Sequence, residues 1–240
     1  MTISYDGTRY QGWQRQITTD QTIQGILEKA ISDLIGYKIT IDGSGRTDAG
    51  VHAKGQIANV KISRKIDEEE FRTKVNERLP EDIRICKIEL VKNSFHSRYS
   101  AVSKRYEYQI DQREKPDVFT RKYCYHYREN LNINEMNAAA EILKGTHDFA
   151  AFTDKKDEKS TVRTIYDIQI IKRNEKIYFH FYGDGFMYHM VRILTGTLLE
   201  IGKGTIQVKD LKKILYSGNR AESGFLAPAL GLCLKEVYYK

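Results

Sequence analysis

The chain has 240 residues, 40% apolar and 30% charged, with a net charge of +7. That length and balance describe a globular protein of one large domain or two modest ones, and exclude a disordered chain. No stretch approaches the ~18 uninterrupted apolar residues of a membrane span, and the opening MTISYDGTRY has no basic region ahead of an apolar one, so it does not read as a signal peptide. Cys86, Cys124 and Cys233 are far apart and lack any CxxC spacing. They read as reduced, buried residues of a cytoplasmic protein. The positive balance favours an anionic partner, of which nucleic acid is the commonest. Basic residues recur in KISRK, QREK, RKYCYHYR and DLKK, so a folded positive surface is expected rather than a basic tail.

In chain order, MTISYDG reads as a short strand ended by Asp6-Gly7. TIQGILEKAISDLIG places Ile23, Ile26, Leu27, Ala30, Ile31 and Leu34 on one helical stripe that stops at Gly36. YKITIDG and GQIANVKIS alternate as strands. DEEEFRTKVNERLP predicts a helix with acids in its first turn, where the helix dipole favours them. DIRICKIELV closes this half as a strand. In the second half, KRYEYQI and YCYHYRE read as strands, and INEMNAAAEILKG as a helix capped by Asn132 or Asn134 and stopped by Gly145. IYDIQIIKRNEKIYFHFYGDGF predicts a hairpin turning near Asn174. An apolar helix YHMVRILTGTLLEIG, a basic amphipathic helix QVKDLKKILYSG and a last strand GLCLKEVYY follow. SFHSRYSA and GTHDFAAF read as loops. The short connections predict an α/β (α+β type) protein with largely antiparallel sheets. Its two subdomains are expected over 1–100 and 101–240.

Between the second and third strands lies SGRTDAGVHA, residues 44–53, which sets Asp48 between an arginine and a histidine in a glycine-punctuated run. It has neither the third glycine of a dinucleotide fingerprint nor the GK[ST] of a phosphate loop. No nucleophile elbow surrounds Ser44, and Ser44, Asp48 and His52 at four-residue spacing do not form a triad. A local turn bonded by the aspartate explains the glycines but not the adjacent Arg46. A carboxylate on a loop held between rigid strands is the stronger reading, because active residues commonly sit there. Arg192 is the second candidate. It is the only formal charge between Asp184 and Glu200, within an apolar stretch, and a buried guanidinium requires an acid or carbonyls facing it. The third is Tyr106, alternating with Tyr108 on a strand flanked by Lys104 and Arg105, a pattern suited to stacking on an unpaired base. The six histidines show no HxxxH or HExxH spacing, so no metal site is expected.

SGRTDAGVHAKGQIAN resembles the signature of the TruA family of tRNA pseudouridine synthases. YDGTRYQGWQRQ, TIQGILEKAI, FHSRYSA, KRYEYQI, GTHDFAAF, TVRTI, GDGFMYHMVRILTG and GLCLKEV resemble that family's other blocks, in its order. The resemblance implies the pseudouridine synthase fold, two similar α/β subdomains around a basic active-site cleft. It further implies cofactor-free isomerisation of uridine at positions 38, 39 and 40 in the tRNA anticodon stem-loop, by a homodimer. Asp48 matches the family's essential aspartate and Arg46 its neighbour. Tyr106 matches the tyrosine against the target base, Arg192 the basic residue paired with the aspartate, and Leu232 an apolar pocket residue. Arg15 and Arg98 lie in blocks facing the cleft and are expected to touch substrate. The same isomerisation on another RNA, and a non-catalytic tRNA-binding module, are the alternatives. Asp48 discriminates against the second, because binding phosphate gains nothing from a carboxylate.

Overall fold

The structure is a computed structural model and describes residues 1–155 and 160–240. Its chain separates into two compact units, one of Met1–Val102 with Cys233–Lys240, the other of Ser103–Leu232.

The first unit contains β1 (Thr2–Tyr5), α1 (Ile23–Ile35), β2 (Ile41–Gly43), β3 (His52–Val60), α2 (Glu68–Asn76) and β4 (Ile83–Lys87). Strand β1 lies antiparallel between β3 and β4, and β2 pairs antiparallel with the far end of β3. Helix α1 begins where the Thr22 hydroxyl accepts the Gly25 N–H, and ends at Gly36 in the left-handed conformation. Its stripe of Ile23, Leu27, Ala30 and Ile31 is buried. Helix α2 starts on an Asp67 cap with three glutamates in its first turn.

Strand β2 is much shorter than YKITIDG suggests. The Ile39 N–H is held by the Ser32 hydroxyl at 3.1 Å and the Ile41 N–H by the Glu28 carboxylate at 3.0 Å. Both backbone donors thus answer side chains of α1 instead of a neighbouring strand. The thiols also differ from expectation: Cys124 is buried, Cys233 is intermediate and Cys86 is exposed. On β4 the residues alternate with Ile83 and Ile85 inward, so Cys86 takes the outward face.

The second unit contains β5 (Ala101–Asp111), β6 (Tyr125–His126), α3 (Ile133–Leu143), β7 (Gly145–Asp148), β8 (Val162–Arg173), β9 (Lys176–Gly183), α4 (Met190–Lys203) and α5 (Val208–Ser217). Strands β5, β9, β8 and β7 neighbour one another in that order, all antiparallel. The β8–β9 hairpin turns at Asn174, whose φ of 53° suits asparagine. Asn132 caps α3 by accepting two backbone N–H groups. YCYHYRE yields only the two residues of β6, because the chain before it is folded into turns that bond Arg121 N–H to Asp117 and Tyr123 N–H to Thr120. GTHDFAAF is not a loop: its first four residues form β7 against β8, and Ala150–Phe152 make a 3-10 turn. The last strand, β10 (Leu232–Tyr239), runs parallel to β3, with Cys233 opposite His52 and Leu234 opposite Ala53.

Candidate active site

Residues 44–51 fold back along the strand they lead into. Ser44 donates its N–H to Ile57 of β3 at 2.7 Å and its hydroxyl to Gln56 Oε1 at 2.6 Å. The amide of Gln56, fully buried, returns a bond to the Gly45 carbonyl at 3.0 Å. Further along, the Thr47 hydroxyl lies 2.8 Å from the hydroxyl of Tyr5 on β1. Burial pushes the Tyr5 pKa well up, so this phenol stays neutral. The Thr47 carbonyl accepts the Trp13 N–H, the Tyr10 carbonyl accepts the Gly50 N–H, and Asp48 closes a turn by accepting the Val51 N–H at 3.1 Å. Asp48 is left half-buried and Arg46 exposed, on a backbone held from several directions.

The segment behind this loop explains the glycines of YDGTRYQGWQRQ. A Cβ on Gly7 would sit 2.0 Å from the Val51 carbonyl oxygen, and one on Gly12 would sit 2.6 Å from that of Thr47. Gly12 also has a φ of 87°, which side-chain-bearing residues rarely adopt. These glycines let one backbone lie directly against another. Gly7→Ala is therefore expected to destabilise the protein by about 1–3 kcal/mol, since main chain must move to admit the methyl. A thermal melt reads this as a fall of several degrees for a chain of this size, and an unchanged melt would refute the clamp. Behind the loop, His52 Nδ1 lies 3.1 Å from both the Gly7 nitrogen and Asp6 Oδ1. A bare Nδ1 can accept the first and an Nδ1–H can donate to the second, so the two contacts are alternatives set by which ring nitrogen carries the proton.

Arg98 and Arg15, also in the first unit, differ in what holds them. The FHSRYSA segment is anchored by fully buried Ser97, whose hydroxyl donates to the Asp42 carbonyl and whose own carbonyl accepts from Tyr239. That anchor displays an exposed Arg98 beside the Tyr99 ring. Arg15 bonds Glu28 at 2.6 Å. Glu28 is buried and also accepts from Gln24 and the Ile41 backbone, so this pair belongs partly to the architecture of α1.

In the second unit, Tyr106 and Tyr108 share one face of β5. Tyr106 is buried, with its ring edge-on to Phe186 at 5.3 Å between centroids. Tyr108 is fully buried and donates to the Pro228 carbonyl at 2.7 Å. Its burial drives its pKa well up, and the positive charge of nearby Arg192 opposes that shift. Arg192 lies in the first turn of α4, which begins at Met190, two residues later than the sequence pattern suggests. Its Nε donates to the Ala227 carbonyl at 2.7 Å, and the Ala227 N–H donates back to the Arg192 carbonyl at 3.3 Å. A facing carbonyl thus receives one side of the guanidinium, as its apolar surroundings require. Leu232 is buried at the start of β10. Tyr106, Tyr108 and Arg192 therefore belong to one unit, whereas Asp48 and Arg46 belong to the other.

The supporting residues Gly7, Gly12, Trp13 and Gln56 were not singled out by sequence reasoning. Two glycines set among aromatics in YDGTRYQGW are the signal of close backbone approach.

Each unit thus holds candidate residues on a fixed backbone, Asp48 on its locked loop in the first and Tyr106 and Arg192 on β5 and α4 in the second. The family model described as tRNA pseudouridine synthase matches residues 1–100 and 139–240. The chain is 44% identical to tRNA pseudouridine synthase A of Clostridium kluyveri over 240 residues, covering all of this chain and 98% of that protein. It is 45% identical to tRNA pseudouridine synthase A 2 of Clostridium tetani over 239 residues, with 99% and 96% covered. Against tRNA pseudouridine synthase A of Bacillus sp. strain KSM-64 the identity is 44% over 238 residues, with 99% and 97% covered. The chain belongs to the tRNA pseudouridine synthase family.

Proposed function

We propose that this enzyme isomerises uridine to pseudouridine at positions 38, 39 and 40 of the tRNA anticodon stem-loop, acting as a cytoplasmic homodimer. The observation that carries the reading is the Asp48 loop, whose backbone is held by β3, by Tyr5 and by the Tyr10–Trp13 segment. Rigid presentation of one half-buried carboxylate suits catalysis, because a productive geometry must be held before the reaction begins.

The isomerisation breaks the N1–C1′ bond, turns the uracil and joins C5 to C1′. The C5 proton is lost and N1 regains one, so no redox change is needed. Asp48 acts on the ribose, either attacking C1′ as a nucleophile or removing the C2′ proton. A nucleotide within a stem must leave the base stack to be reached. Tyr106 offers an aromatic face to the extruded base, and Leu232 an apolar wall. Arg192 serves in this reading as the basic residue paired with Asp48. Arg46, Arg15 and Arg98 answer phosphates, consistent with the +7 net charge. In this reading the two halves divide the labour, 1–100 bringing the aspartate and 101–240 the tyrosine and arginine.

Incubation of the purified protein with unmodified tRNA transcripts, followed by mapping of pseudouridine at single-nucleotide resolution, tests the reading. Product confined to 38–40 is the expected result. Pseudouridine elsewhere in tRNA, or only in a ribosomal transcript, would reassign the target, and none in any RNA would overturn the function.

A further inference from the structure

Asp154 follows the 3-10 turn Ala150–Phe152 and has no part in the chemistry described above. Its Oδ2 lies 2.5 Å from Nδ1 of His189, and its Oδ1 accepts from Arg220 Nε at 2.7 Å. Burial alone raises its pKa, but the bonds from His189 and Arg220 outweigh that and hold it below the usual carboxylate value. The ionised form is therefore the one present at neutral pH.

Its two partners matter because of what they support. His189 is the N-cap of α4, held at a φ of 64° with no side-chain bond to the helix N–H groups. Such a conformation is strained for histidine and persists only where surrounding contacts enforce it. The His189 carbonyl accepts the Ile193 N–H at 3.0 Å, so the orientation of this residue sets the first turn in which Arg192 lies. Arg220 reaches the other way. Its terminal nitrogen donates to the Ser223 hydroxyl at 3.0 Å and to the Gly224 carbonyl at 2.9 Å. Gly224 is itself pinned to Thr197 of α4. Three residues on, Ala227 presents the carbonyl that holds Arg192 Nε. One carboxylate thereby ties together the helix start that carries Arg192 and the segment that orients its guanidinium.

We propose that Asp154 is a positioning residue for Arg192, locking the α4 N-terminus and the 220–227 segment into the single register in which the guanidinium is correctly aimed. This inference rests on Arg192 being part of the active site. An amide at position 154 would keep the shape but lose the charge-assisted bonds to both partners.

The test is a double-mutant cycle in the full-length protein with a tRNA transcript, reading single-turnover rate, tRNA affinity and thermal melt together. Asp154→Asn is expected to lower the rate by about tenfold or more with tRNA affinity within about twofold of wild type. In an Arg192→Met background the same substitution should change the rate by less than about twofold, because the group it aims is already gone. Arg220→Lys, which keeps the charge but loses the fork, should give an intermediate loss, and stands in if Asp154→Asn does not fold. A wild-type rate in both single variants, or losses that multiply with Arg192→Met, would make Asp154 a merely structural carboxylate and overturn the proposal. If Arg192→Met itself turns over at the wild-type rate, the active-site reading of Arg192 is what fails, and the positioning role falls with it.

Discussion

Asp48→Asn is expected to keep the fold and the affinity for tRNA while losing about a thousandfold or more in single-turnover rate. Proton transfer by a placed side chain contributes about 10²–10⁴-fold, and an amide can neither accept the C2′ proton nor attack C1′. The fold should survive because bonds made by Ser44, Gly45, Thr47 and Gly50 hold this loop and stay in place when the Asp48 carboxylate becomes an amide. Affinity should survive because phosphate recognition depends on cations, and removing a negative charge does not weaken it. Loss of melting temperature together with activity would instead show a scaffold role. Residual turnover within about tenfold of wild type, only ~1.4 kcal/mol of barrier, would sink the catalytic assignment.

Arg192→Met should lower the rate by about a hundredfold, whereas Arg192→Lys should retain part of the activity. The structure supplies the reason for the difference. Nε of Arg192 is engaged by the Ala227 carbonyl, which sets the plane of the whole guanidinium. Lysine carries a single ammonium and cannot both hold that carbonyl and present a two-pronged donor face. Methionine removes the charge altogether. A near-normal single-turnover rate in Arg192→Met would show that Arg192 has no role in the reaction.

Much of this molecule was legible before its structure. Helices α1, α2, α3 and α5 fall within the segments read as helical, α1 ending at Gly36 and α3 starting on Asn132 but ending at Leu143, two residues before the expected stop at Gly145, and the hairpin turns at Asn174. Those features are local: a stripe, a capping side chain and a turn residue act within a few positions of one another. Asp48 stood out as a candidate for a similar reason, since a charged, glycine-rich decapeptide between two strands has few structural explanations.

What the sequence could not decide was long-range. The backbone donors at 39 and 41 bond to side chains of α1, so a stretch with good strand alternation forms only a three-residue strand. β7 carries no apolar alternation and forms because β8 offers it a partner. β10, more than 170 residues away in the chain from His52 and Ala53, lies parallel to β3, and no local pattern distinguishes a parallel from an antiparallel neighbour. The same holds for the supports of the site. Gly7 needs to be glycine because Val51 passes 2.0 Å from where its Cβ would be, and Asp154 bridges His189 and Arg220 across 35 and 66 residues of chain. Periodicity, caps and motif chemistry were enough to nominate the carboxylate as a candidate, because they depend on neighbours in the chain. Which backbone lies against it, and which side chains aim its companions, depend on contacts that exist only once the chain has closed on itself.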